Sequence, residues 1–285
     1  MPVYVAAPLT HTVRRQANDM ITFTKLGNLG RLGNQLFQIA GTIGIAIRND
    51  QGFVFPVWGY SEYYKNPIPQ IEGAHLLNLD LKLYDATTPF HYRPVSLEGR
   101  YDWDIIGYLQ SEKYFKHCEN IIREYFTLKD CHVAYLKSKY EHLLEADCCS
   151  ISVRRGDYLL AQHHYPVLSM NYFNRAMAHF PSDTVYLIFS DDIGWCKRQF
   201  VGGKFHFIEE PSEVLSLHLI SFCRNNIISN STFGWWGAWL NENSDKTVIA
   251  PSRWFGDGFA DLDAKDIIPE QWLKIQPNHI LSREP

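Results

Sequence analysis

Residues 151 to 158 read Ile-Ser-Val-Arg-Arg-Gly-Asp-Tyr: an apolar approach delivers two adjacent arginines, then a glycine, then a carboxylate. The apolar run predicts a buried strand, and the C-terminal edge of such a strand is where open α/β sheets bind their ligands. Arginine offers a permanently charged planar fork that matches phosphate oxygens two at a time. Arg154 and Arg155 therefore read as a clamp for a diphosphate. A surface Arg–Asp ion pair after a strand is the alternative, and the rest of the chain decides between them.

Working outward, short apolar runs alternate with helix-period segments from Asp147 onward, the pattern of a parallel sheet with crossover helices. Strands are predicted at 148–153, 185–190, 205–208, 226–229 and 247–250. Helices are predicted at 169–180, 192–200, 212–223 and 232–241, with Ser169 and Ser212 as natural N-caps. Five strands with right-handed crossovers make a small doubly wound domain whose ligand crevice lies at the strand C-termini. Three polar tips fall on that edge: Arg154-Arg155-Gly156-Asp157, Ser190-Asp191-Asp192 and Asn230-Ser231-Thr232. Ser231 and Thr232 immediately precede a helical run, so their hydroxyls and free backbone N–H groups form an anion site, where an isolated Ser or Thr would be an ordinary cap.

The first half is less regular. Gly27 to Ala40 (GNLGRLGNQLFQIA) is a glycine-rich turn entering a helix that continues through Ile47. Its glycine spacing does not fit a dinucleotide fingerprint, and no phosphate-loop Lys-Ser/Thr follows. A close approach of backbone to ligand or to another domain is the better reading. Residues 52 to 104 are rich in aromatics, among them Trp58, Tyr60, Tyr63, Tyr64, Tyr92, Tyr101 and Trp103. Rings interleaved with polar groups suit a sugar, and an aromatic core in an irregular region is the alternative.

The 285-residue chain with 46% apolar content suits two domains. The expected division is an extension at 1–19, a first domain at 20–145, a second at 146–275 and a tail at 276–285. A net charge of -4 argues against nucleic acid and other general polyanions, so any basic site is local. Six cysteines lack metal-ligand or disulfide-framework spacing, which suits reduced thiols in a cytoplasmic protein. No apolar run approaches the roughly 18 to 20 residues of a membrane helix, and the N-terminus lacks a signal-peptide core.

Six motifs in order carry a resemblance: Gly30–Ala40 (GRLGNQLFQIA), Gly107–Phe115 (GYLQSEKYF), Val153–Tyr158 (VRRGDY), Phe189–Cys196 (FSDDIGWC), Asn226–Leu240 (NIISNSTFGWWGAWL) and Val248–Phe255 (VIAPSRWF). Across nearly all of residues 20 to 275 the chain resembles the α-1,2-fucosyltransferases of glycosyltransferase family 11. The resemblance implies an α/β fold of GT-B type, two Rossmann-like domains facing across a cleft, with the C-terminal one a doubly wound parallel sheet. It implies inverting transfer of L-fucose from GDP-β-L-fucose to a sugar hydroxyl, with the 2-hydroxyl of a galactoside expected. No cofactor and no metal are expected, because arginines can neutralise the charge that Mg²⁺ would otherwise meet. The expected partners are the nucleotide-sugar and a glycan acceptor, with peripheral association where that glycan is membrane-linked.

Arg154, Arg155 and Asp157 are the expected catalytic group, with both arginines on the phosphates. Asp157 either orients the arginine tips or acts as base toward the acceptor, and a carboxylate held ionised beside arginines makes a weak base. Donor contacts are expected from Ser152, Asp191, Asp192, Ser216, Asn230, Ser231, Thr232, Phe233, Gly33 and Asn34. Gln35, Gln110 and Ser111 are expected beside Asn34 on the acceptor side, and His163 and His164 on a solvated loop. Two positions depart from the family pattern: Ser152 and Ser216 stand where relatives carry a histidine and an aspartate associated with guanine recognition. Discrimination through such bonds is worth on the order of 1–3 kcal/mol each. Either Asp191 or Glu213 takes over, or the donor differs. A non-catalytic glycan-binding relative is the third reading.

Overall fold

The computed structural model describes residues 19–72, 75, 80–88 and 90–277. Residues 1–18 and 278–285, most of the expected extension and tail, lie outside them. The chain divides into two compact units: one runs to Asp130 and takes in Lys265–Ile267, the other holds Cys131–Ala264 and resumes at Ile268. The break falls after Asp130, the first residue of the helix Asp130–Leu144, and not after residue 145. That helix is tied to the second unit, where Lys139 Nζ and Tyr140 OH both donate to Glu210 Oε2, at 2.9 and 3.3 Å.

The first unit contains strands β1 (Met20–Thr22), β2 (Gly52–Phe53), β3 (Phe55–Pro56), β4 (Gln70–Ile71), β5 (Lys82–Asp85) and β6 (Trp103–Ile106), with helices α1 (Leu32–Arg48) and α2 (Glu119–Tyr125). Its main sheet has the order β2-β1-β6-β5 and all its pairings are parallel. Helix α1 is buried along almost its whole length, from Leu32 to Ala46, and so reads as a nearly continuous apolar run. Part of the aromatic stretch is core: Trp58 stacks on Tyr64 at 5.5 Å and 11°, and both are buried. Tyr60, Tyr63, Tyr92 and Trp103 are half-buried, and Tyr101 is exposed beneath the Lys82 ammonium.

The second unit contains α3 (Asp130–Leu144), β7 (Cys149–Val153), α4 (Met170–Met177), β8 (Tyr186–Ser190), α5 (Ile193–Gln199), β9 (Phe205–Phe207), α6 (Glu213–Phe222), β10 (Asn225–Ile228), α7 (Thr232–Leu240), β11 (Val248–Pro251) and β12 (Leu273–Ile275). The order β12-β11-β10-β7-β8-β9 is parallel throughout. The five expected strands and four expected helices are present within a residue or two, apart from the longer extent expected for α4. β12 is an addition, too short at three residues to show a period. Strand order reverses between β7 and β10, which makes their C-termini the switch point of the sheet.

β7 is buried on both faces, but its two faces differ. Cys149, Ile151 and Val153 join an apolar core with Tyr172, Phe173, Ile188 and Ile227. Ser150 and Ser152 face the other way, where Ser150 Oγ accepts from Asn226 Nδ2 at 2.8 Å. A Cβ placed on Gly234 of α7 would lie 2.7 Å from Ser152 Oγ, so a small residue on each side lets helix and strand approach closely.

His218 on α6 is buried, and burial lowers its pKa to about 3. Because the folded value lies below the ordinary 6.5, the unfolded chain binds the extra proton. Stability is therefore complete above pH 6.5 and falls on acidification, by about 1.4 kcal/mol per pH unit from this group. Urea unfolding at pH 7 and pH 5 is expected to show roughly 2 kcal/mol more loss in wild type than in His218→Leu.

Candidate active site

Two strand ends meet at the switch point. β7 runs into Arg154, and β10 runs through Ser229 and Asn230 into the N-terminus of α7. Ser229 joins them: its N–H and its hydroxyl both donate to Ser152 O, at 3.0 and 2.8 Å, and its Oγ accepts from Arg154 N at 3.2 Å. Ser231 is the N-cap residue of α7 with extended backbone, yet its side chain makes no capping bond. Among the described residues the hydroxyls of Ser231 and Thr232 have no hydrogen-bond partner, which leaves the first turn of α7 as a donor-rich end. Phe233 follows in that turn, half-buried.

The two arginines are held differently. Arg154 Nη1 pairs with Asp191 Oδ2 at 2.6 Å and Nη2 pairs with Asp157 Oδ1. Its guanidinium carbon lies 4.9 Å from the Tyr158 ring centroid. Two of its five N–H donors are thus engaged by those bonds. Arg155 is only 8% exposed. Its Nε bonds Asp192 Oδ2 at 3.2 Å, its guanidinium carbon lies 3.9 Å from the Trp195 ring centroid, and its backbone N–H donates to Asp191 Oδ1 at 2.9 Å. Arg154 is half-buried at the strand tip, and Arg155 is buried.

Both aspartates after β8 turn toward these arginines. Asp191 uses one oxygen on each arginine, and Asp192 also caps α5 by accepting from Trp195 N at 3.1 Å. Gly156 is required by this arrangement, since a Cβ there would press against the Asp191 carboxylate. Asn230, expected as a donor contact, is buried and braces three loops. Its Nδ2 donates to Pro166 O at 3.1 Å and Trp254 O at 3.0 Å, and its own carbonyl accepts from Tyr158 OH at 3.2 Å. Ser152 is buried against α7. Ser216 lies half-buried on α6, and among the described residues no hydrogen bond joins it to this cluster. Glu213 is exposed in the first turn of α6. His163 and His164 belong to a loop clasp, their carbonyls accepting from Gly258 N at 2.7 Å and Gly256 N at 2.8 Å.

The first unit holds its own polar group. Gly30, at φ +86°, leaves no room for a side chain beside Asn34. Gln35 and Gln38 hold the glycine turn by donating to Gly30 O at 3.1 Å and Leu29 O at 2.7 Å. Gln110 Nε2 reaches Asn34 Oδ1 at 2.8 Å from a loop in which Leu109 takes a positive φ of 50°. A buried non-glycine residue in that conformation is strained, and such strain collects at functional loops. Gln35 is further engaged by Trp58 Nε1 at 2.9 Å, and Ser111 caps a short turn. Gly33 is buried in the first turn of α1. Among the described residues no group of three or more His, Cys, Asp or Glu side chains could hold a metal ion.

A family model described as Glycosyl transferase family 11 matches residues 71–276. The chain belongs to glycosyltransferase family 11. Alpha-1,2-colitosyltransferase of Escherichia coli is 25% identical over 289 residues, 87% of this chain and 97% of that protein. The O-antigen biosynthesis glycosyltransferase WbnK of Escherichia coli is 38% identical over 140 residues, 46% of this chain and 45% of its own length. Galactoside 2-alpha-L-fucosyltransferase SEC1 of Bos taurus is 24% identical over 74% of this chain and 62% of that protein. Among solved structures, a mutant of Arabidopsis thaliana FUT1 in complex with GDP superposes with a TM-score of 0.53 at 12% identity, covering 82% of this chain and 70% of that one. POFUT1 in complex with GDP-fucose gives 0.51 at 12% identity, covering 83% and 99%. These structural likenesses bear on the fold alone, which is GT-B: two α/β units, each built on a parallel sheet. Tyr158, Ser229 and Trp195 are the members of this family 11 site that strand and helix patterns do not single out. All three stand inside the six motifs.

Proposed function

We propose that the protein transfers L-fucose from GDP-β-L-fucose to a hydroxyl of a glycan, the 2-hydroxyl of a galactoside, with inversion and without a metal. The observation that carries this reading is Arg154 and the uncapped N-terminus of α7 standing on adjacent strand ends at the switch point, in a family 11 chain. Glycosyl transfer passes through an oxocarbenium-like sugar while negative charge builds on the departing diphosphate. Arg154 meets that charge with its remaining donors, and the hydroxyls and N–H groups at Ser231 and Thr232 meet it from the helix end. Arg155, Asp191 and Asp192 set the position of Arg154 from below.

A second reading keeps the chemistry and changes the sugar. The relative aligned over 97% of its length is an alpha-1,2-colitosyltransferase. Ser152 and Ser216 separately favour testing other bases. Incubation with GDP-β-L-fucose and a β-galactoside, followed by linkage analysis, is expected to give an α-1,2-fucoside. A product formed only from GDP-colitose selects the second reading, and no product from either donor contradicts both.

Asp157 belongs to the positioning of Arg154, since its carboxylate pairs with the guanidinium. Asp157→Asn keeps an acceptor oxygen there and is expected to lower kcat within about tenfold with an unchanged pH–rate profile. Disappearance of one limb of that profile would instead make Asp157 the base.

A further inference from the structure

We infer that Tyr158 is a positioning residue that couples the two halves of the phosphate site, holding the Arg154 guanidinium on its ring and the start of α7 by its hydroxyl. The inference rests on the function proposed above. The ring lies under Arg154, with the guanidinium carbon 4.9 Å from its centroid. The hydroxyl donates to Asn230 O at 3.2 Å, one residue before the N-cap Ser231. The ring is itself fixed by stacking on Tyr165, centroids 4.9 Å apart at 23°. One rigid side chain thus spans from the strand β7 tip to the loop that presents the helix N-terminus.

Asp191 also holds the guanidinium, anchored by Arg155 N on the β7 side, and the Tyr158 hydroxyl adds the tie toward α7. Asp157 is 55% exposed, and an ion pair at such a position holds a side chain loosely. Asn230 lends the far anchor its rigidity, because its amide is tied to Pro166 and Trp254. Burial pushes the Tyr158 hydroxyl up to about 12, so it remains a donor across the working pH range. A cation over an aromatic face gains most when desolvated, and Arg154 is mostly buried.

Calorimetric titration with GDP tests this. Tyr158→Phe, which keeps the ring and loses the link to Asn230, is expected to bind GDP about threefold more weakly than wild type. Tyr158→Leu is expected to lose about tenfold. Placed on Arg154→Ala, the Leu substitution is expected to cost only the roughly threefold share of the Asn230 link, because the guanidinium that the ring positions is gone. Full GDP affinity in Tyr158→Leu, or the same tenfold loss with and without Arg154, overturns the inference. Should the Leu variant fail to fold, unchanged affinity in the Phe variant overturns it. Wild-type protein that binds no GDP overturns the proposed function and this inference together, whereas binding that ignores Tyr158 removes the inference alone.

Discussion

Arg154→Ala is expected to lower kcat/KM for transfer about a thousandfold while leaving the fold in place, the size seen when one preorganised donor to a developing negative charge is removed. The side chain sits at the tip of β7 with donors to spare, next to a helix end that offers N–H groups but no full charge. Its removal leaves Asp157 half exposed and Asp191 still bonded to Arg155 N, so little buried charge is stranded. Steady-state kinetics and a thermal melt on the purified variant check both halves. Turnover like wild type in a well-folded Arg154→Ala protein would remove the clamp from the account.

Arg155→Ala is expected to behave in the opposite sense, losing about 3 kcal/mol of stability in urea unfolding, as when one partner of a buried ion pair is removed. Its guanidinium is buried, sits over the Trp195 ring and bonds Asp192. Deleting it opens a void beneath the strand tip and leaves Asp192 with an unpaired oxygen beside α5. Arg155→Lys is expected to recover little, because an ammonium neither stacks in that way nor presents a planar fork. Activity falls in both variants, and the stability measurement separates the arginine that meets the donor from the one that supports it. A variant at 155 as stable as wild type would contradict the division.

Much of this was legible in the chain. The alternation of apolar runs and helical segments after Asp147 located the sheet, and residue types at strand ends located the site edge. Sequence position alone could not say which way a side chain turns. Arg154 and Arg155 are adjacent, yet one reaches the tip and the other lies against Trp195, because successive residues leaving a strand point to opposite sides. Asn230 sits in a polar strand tip, but its amide is drawn to the carbonyls of Pro166 and Trp254, residues distant in sequence. The aromatic stretch read as well for a sugar surface as for a core, and only stacking of Trp58 on Tyr64 favours the core. The glycine turn at 27–31 was read as a close approach. The partners that hold it, Gln35 and Gln38, were recognisable only as polar residues inside an apolar helix.

The central claim is that the strand-end site binds the diphosphate of a guanosine-linked sugar. Calorimetric titration with GDP-β-L-fucose, set against UDP- and ADP-sugars, tests it most directly. The account predicts saturable binding of the guanosine donor in preference to the others, weakened about tenfold or more in Arg154→Ala. Selective binding of a uridine or adenosine donor, or binding that survives Arg154→Ala unchanged, would contradict it.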